Sequence, residues 1–154
     1  MKTSFSRRIP TELKPDDLWR FVASSLRNSD AQRLWPSALE TSRAESLRVG
    51  SVIHVTYHAW ILDKPVRYRV AELNPDQYRL SYHATKDHPL KGGATIQVQA
   101  SARGSDLLWK GAYEHPWYSA AGFFLRYYFL ERFFDQLELG LRSLEERAKR
   151  KRAA

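Results

Sequence analysis

Ser119–Lys149 reads SAAGFFLRYYFLERFFDQLELGLRSLEERAK, a stretch with no proline. Its large apolar residues fall at Phe123, Tyr127, Leu130, Phe134, Leu137, Leu141 and Leu144, stepping by four and three, which predicts one helix with a continuous apolar stripe. At about 1.5 Å per residue that helix is roughly 46 Å long. Its halves differ. From Gly122 to Phe134 the further aromatics Phe124, Tyr128, Phe129 and Phe133 widen the stripe almost all the way round. After Asp135 the apolar face narrows, and Glu138, Arg142, Glu145 and Glu146 take the rest. A one-sided helix of this kind needs a partner surface.

The preceding chain supplies one. Thr3–Ile9 predicts a short strand, and Pro10 and Pro15 bracket a turn. Asp16, Leu18, Trp19, Phe21 and Val22 fit a short amphipathic helix, with Pro15 and the acids at its N-terminal end. A second short helix is expected from Ser29 or Asp30 through Leu34, ended by Pro36. From Leu39 to His115 everything reads as strands: Leu39–Leu47, Ser51–Leu62, Val66–Leu73, the alternating Tyr78, Leu80 and Tyr82, then Thr95–Ala102 and Leu107–His115. The turns between them are Val49-Gly50, Asp63-Lys64-Pro65, Asn74–Gln77, the polar loop Lys86–Gly93 and Arg103–Asp106. Short connections make an antiparallel meander with one wet face. The expected inward set is Ile53, Val55, Tyr57, Tyr68, Val70, Tyr78, Leu80, Tyr82, Ile96, Val98, Trp109 and Tyr113. The expected fold is therefore α+β, a curved seven-stranded antiparallel sheet wrapped around a long C-terminal helix, with two short helices after the first strand.

The composition agrees with one globular domain. The 154 residues are 43% hydrophobic, with five Trp, eight Tyr and seven Phe. There is no cysteine, which excludes a disulfide framework, a thiolate nucleophile and a thiolate metal site. The N-terminus MKTSFSRRIP lacks the apolar run of a signal peptide, and no apolar stretch approaches a membrane span, so a cytoplasmic location is expected. The net charge is +8, but Arg147, Lys149, Arg150, Lys151 and Arg152 supply five of those charges. Without them the body carries +3. The sequence divides into a domain over residues 1–149 and a basic tail over 150–154. The tail offers contact with RNA, DNA or an acidic lipid surface, and nucleic acid is the disfavoured partner.

Four landmarks carry a resemblance. LKPDDLWRFVA (Leu13–Ala23) is similar to a first helix with a fixed tryptophan, here Trp19. LRVGSVI (Leu47–Ile53) resembles a Gly-Ser step into the third strand. VAELNPDQYRL (Val70–Leu80) looks like a strand–Pro–strand hairpin, and LELGLRSLEERA (Leu137–Ala148) like a final helix ending. Together they resemble the START-like, or SRPBCC, helix-grip superfamily, in its polyketide cyclase/dehydrase and lipid-transport branch. The resemblance implies a cavity between sheet and C-terminal helix. Members are implied to bind lipids, sterols, quinones, polyketides or plant hormones, and some to cyclise or hydrolyse what they bind.

The residues name no reaction. His54 and His58 lie on one face of a strand about 13 Å apart, too far to share an ion, so neither a metal nor another cofactor is expected. His83 alternates outward, and His88 sits in a loop before Pro89. His115 closes the last strand and is, with Tyr82, a candidate acid–base group. No nucleophile elbow, phosphate loop or dinucleotide fingerprint occurs, and Lys91-Gly92-Gly93 is too short to cradle phosphates. The tyrosines are more informative. Tyr57, Tyr68, Tyr78, Tyr82, Tyr113 and Tyr127 are all expected to point inward, yet a buried phenol needs a hydrogen-bond partner. Any one of them fits a sheet end with its hydroxyl in water; the set fits a pocket with apolar walls and polar anchors. The expected cavity lining is Tyr57, Tyr68, Tyr82, Trp109, Tyr113, Phe123, Phe124 and Tyr127. A homodimer contact equally explains the wide aromatic arc near Phe123–Phe134.

The sequence therefore points first to binding of a medium-sized hydrophobic or aromatic molecule, lipid-, quinone- or polyketide-like. The alternatives are a cyclase- or dehydratase-type enzyme on a polyketide-like substrate and an interaction module using the basic tail.

Overall fold

The computed structural model describes residues 1–27, 39–42, 47–59, 62–88, 90–115 and 130–154. Its elements are β1 (Lys2–Thr11), α1 (Pro15–Arg27), β2 (Leu39–Ser42), β3 (Val52–Ala59), β4 (Leu62–Asn74), β5 (Arg79–Ala84), β6 (Lys91–Ser101), β7 (Gly104–Glu114) and α2 (Leu130–Ala153). The strands form one sheet in the order β1-β7-β6-β5-β4-β3-β2. Every pairing is antiparallel.

One face of the sheet is buried and alternation assigns it. Ile53 and Val55 of β3, Val66, Tyr68 and Val70 of β4, Leu80 and Tyr82 of β5, Ile96 and Val98 of β6, and Leu107, Trp109 and Tyr113 of β7 join a single core. His54, Arg67, Arg69 and His83 alternate with them and are exposed. Leu18, Phe21 and Val22 of α1 and Leu130, Phe133, Phe134, Leu137 and Leu141 of α2 belong to the same core, so both helices cover that one face. Leu137 is fully buried, Leu141 nearly so, whereas Leu139 on the opposite side of α2 is 63% exposed.

Several expected boundaries move. Pro10 lies inside β1, opposite Asp106, rather than in a turn. β1 is an edge strand, where a residue without an N–H is tolerated. Lys64 and Pro65 belong to β4, paired with Tyr57 and Thr56, so the expected strand Ser51–Leu62 ends at Ala59 instead. β6 begins at Lys91, which shortens the Lys86–Gly93 loop. Gly92 has φ +122°, and a Cβ there would stand 2.0 Å from the Ala112 carbonyl oxygen; only glycine lets the strand start so early.

Tyr78 is not part of β5. It caps the 3-10 turn Pro75–Gln77 in the left-handed region at φ 51°. There it packs against Trp19, and its hydroxyl donates to Asp16 on α1. At the other end, α2 continues through Ala153, so the basic residues 150–152 are helical. The second short helix at Ser29–Leu34 and the start of the last helix at Ser119 lie outside the described residues, as do positions 43–46 of the polar strand Leu39–Leu47.

Leu137→Ala should destabilise the fold by about 2–5 kcal/mol, because the site is walled by α2 and the sheet and collapses little. Leu139→Ala should shift stability by less than about 0.5 kcal/mol. Urea unfolding of the two variants checks both.

Candidate functional site

Two adjacent rows across the buried face build the site. Strand register sets Tyr68 of β4 beside Ala84 of β5, and Gly92 of β6 beside Tyr113 of β7. Thr3 of β1 continues past Tyr113. Two large phenols thus stand on either side of two residues with almost no side chain. The next row runs Val70, Tyr82, Ala94, Gly111 and Phe5, again with small residues beyond a tyrosine. The gap at Gly111 is closed by the Phe5 ring, which a Cβ would meet at 2.6 Å.

The gap between Tyr68 and Tyr113 is filled from the loop that joins β5 to β6. His88 folds back so that its ring lies 4.9 Å from Tyr68 and 6.4 Å from Tyr113, nearly parallel to the latter. It is 8% exposed, while its neighbours Lys86 and Asp87 are exposed. The Leu90 backbone N–H donates to His88 Nδ1 at 3.0 Å. An N–H only donates, so Nδ1 holds a lone pair, the ring is neutral, and its proton sits on Nε2. Nε2–H donates to the Tyr68 hydroxyl at 2.9 Å.

Tyr82 occupies the centre. Its ring meets Tyr68 edge-on at 5.0 Å. Trp109 Nε1–H donates to its hydroxyl at 3.1 Å. Burial, and then the neighbouring Tyr113, push the Tyr82 phenol well above the ordinary 10, with the Trp109 bond pulling the other way. Tyr82 therefore stays a neutral donor–acceptor. Phe133 and Phe134 of α2 close over Trp109 with their rings near perpendicular to it, at 5.3 and 5.9 Å. The face thus changes character along α2. Where the helix begins it is aromatic and hydrogen-bonded, and further along, at Leu137 and Leu141, it is aliphatic.

Of the expected lining, Tyr68, Tyr82, Trp109 and Tyr113 come together here. Tyr57 has no described side chain, and Phe123, Phe124 and Tyr127 lie outside the described residues. Tyr78 is displaced to α1, as above. His115, the candidate acid–base residue, is buried at the end of β7 with Nε2 2.9 Å from the Thr3 hydroxyl of the edge strand. The imidazole among the tyrosines is His88, which its loop position before Pro89 had suggested was exposed. A sequence signal for it existed: Ala84 and Gly92 stand four residues before and after it, and both leave room on the inward face.

Among the described residues no three His, Cys, Asp or Glu side chains cluster as a metal would require, and no helix is long and apolar enough to cross a membrane. A separate cleft of about 330 Å3 lies between Pro10, Arg103 and the charged side of α2. Its cations are paired, Arg142 with Glu138 and both Arg103 and Lys149 with Glu12. Glu145 accepts from the Glu12 N–H at 2.7 Å, and Lys149 pairs with the Glu12 carboxylate at 2.6 Å, holding that carboxyl below the usual range. The cleft is a latch between α2 and the end of β1.

A family model described as polyketide cyclase/dehydrase and lipid transport matches residues 2–149. Among solved structures, the crystal structure of Ara h 8.0201 is similar with a TM-score of 0.63. The match covers 93% of this chain and 99% of that one at 12% identity, which is a likeness of fold. No curated protein sequence matches.

Because Tyr82 keeps its proton where an unfolded tyrosine loses one, the stability it contributes is complete below about pH 10 and declines as pH rises further. Tyr82→Phe should remove that part of the alkaline slope. At pH 7 it should cost about 1–3 kcal/mol, since the Trp109 N–H loses this acceptor. Urea unfolding at pH 7 and pH 10.5 reads both effects.

Proposed function

The chain belongs to the polyketide cyclase/dehydrase and lipid-transport family, and we propose that this member binds a medium-sized hydrophobic or aromatic small molecule between the sheet and its C-terminal helix. The observation that carries the reading is the hydrogen-bonded set Tyr68, Tyr82, Trp109 and His88 on an otherwise apolar face. A core made only to be packed is served by Leu, Ile and Phe, as the Leu137 end of the same face is. Apolar walls with a few oriented polar groups suit a ligand that is mostly hydrocarbon and carries one or two oxygens. Burial of apolar area at roughly 25 cal/mol per Å2 drives such binding, and the phenols fix orientation. In this reading the aromatic stripe of the sequence before Leu130, with Phe123, Phe124 and Tyr127, completes the wall, and Tyr57 extends it along β3.

Native mass spectrometry of protein taken directly from cells should show a co-purified apolar molecule. Titration with lipid-, quinone- and polyketide-like compounds should quench tryptophan fluorescence with saturation. Tyr82→Phe should weaken the best of them about 5- to 10-fold, the loss of roughly one hydrogen bond. No co-purified molecule and no saturable ligand across those three classes would sink the reading.

Cyclase- or dehydratase-type chemistry is the second reading, and one observation favours it. Tyr82 remains a protonated phenol, suited to donate to a carbonyl oxygen as negative charge develops there. If it acts so, Tyr82→Phe should lower turnover of a polyketide-like substrate by more than about 100-fold, with the dissociation constant changed far less.

A further inference from the structure

His88 is a titratable side chain buried among aromatic rings. It turns inward from the connection between β5 and β6, where Leu90 also packs against the core. The His88 N–H closes a turn on the Thr85 carbonyl at 3.0 Å, and the Thr85 N–H reaches the Arg67 carbonyl at 3.0 Å. On the outside Asp87 pairs with Arg67, both well exposed, and such a pair contributes little. The imidazole ties this connection to the sheet in addition: Leu90 N–H to Nδ1, Nε2–H to Tyr68, and ring contacts with Tyr68 and Tyr113.

That set works only for the neutral ring. A proton on Nδ1 would face the Leu90 N–H, turning a hydrogen bond into a donor–donor contact. It would also place a charge among aromatic rings, away from water. Among the described residues, the phenol of Tyr68 from β4 and the ring of Tyr113 from β7 face the ring, with the Tyr82 phenol of β5 behind Tyr68. The charged groups of this connection and Glu114, again among the described residues, turn to the exposed side or pair in register. Asp87 turns to Arg67, Lys86 is exposed, and Glu114 stands in register between Lys2 and Lys91.

We propose that protonation of His88 releases its ring and the Leu90 N–H from each other and from the buried face, and thereby couples ligand access at the tyrosine cluster to pH. This rests on the binding reading above, of which it is the regulation. The sign follows from the neutral ring: the closed arrangement is complete above the imidazole range, about 6.5 in an unperturbed histidine, and is lost as pH falls through the titration of His88.

Two readouts on the full chain test it. Amide hydrogen exchange at Leu90, corrected for the intrinsic rate, reports release without any ligand. The association rate of the neutral fluorophore N-phenyl-1-naphthylamine reports access. Between pH 7.5 and pH 5, Leu90 protection should fall at least about tenfold, and the probe should associate several-fold faster, as for a closed state reduced to a minor one. His88→Asn keeps an oxygen acceptor where Nδ1 stands but does not titrate, so both readouts should be flat with pH in that variant. Flat Leu90 protection in the unaltered chain, or an unchanged pH response in His88→Asn, overturns the proposal. Probe binding with flat Leu90 protection overturns it while leaving the binding reading intact. Release of Leu90 with a probe association rate that does not change with pH overturns the coupling to access, and the binding reading is then judged by the ligand titrations above.

Discussion

An antiparallel sheet with one apolar face has to cover that face, and here α1 and α2 are the cover. Leu137 and Leu141 share one core with Leu80, Ile96, Val98 and Leu107, all with almost no exposed surface, and Leu144 packs against that core. The polar ties at its margin follow from that placement. Arg7 reaches Glu131 near the start of α2, and Glu12 meets Glu145 and Lys149 near its end. These pairs are exposed, so they align the helix with β1 more than they hold it down. A second set of ties fixes the entry to α1. The Ser105 hydroxyl donates to the Leu13 carbonyl and the Thr11 hydroxyl to the Ser105 carbonyl, both buried.

With the aliphatic end clamped, the aromatic end answers to a different constraint. Phenols and an indole N–H removed from water must be partnered, or each costs a few kcal/mol. Tyr82 is met by Trp109, and Tyr68 by His88. The arrangement needs space, which Ala84, Gly92, Ala94 and Gly111 provide along two rows of the sheet. Large polar-tipped rings and small residues are thus two halves of one design, and neither explains the site alone.

Much of this was legible in the sequence because it repeats. Alternation marks Ile53, Val55, Tyr68, Val70, Leu80, Tyr82, Ile96, Val98, Trp109 and Tyr113 as inward, and the structure buries each of them. The misses come from features without period. Tyr78 continues the alternation of β5 but belongs to a turn, where a left-handed backbone and the Asp16 carboxylate decide its direction. Pro10 and Pro65 read as turn residues, yet each sits in a paired strand. His88 was hidden for a further reason. A loop side chain points wherever there is room, and the room was made by residues on two other elements.

Gly92 shows how closely the site and the fold are coupled. Its backbone approaches β7 so tightly that no other residue fits, which lets β6 start at Lys91 and leaves only 85–90 to join it to β5. A connection that short cannot wander, so the histidine near its middle is brought over the gap between Tyr68 and Tyr113. A longer, looser loop would fill the same gap with water or with another side chain. The neutral imidazole is therefore a consequence of strand pairing in the row it fills. Altering Gly92 would disturb the tyrosine cluster through the backbone, because a Cβ there meets the Ala112 carbonyl oxygen.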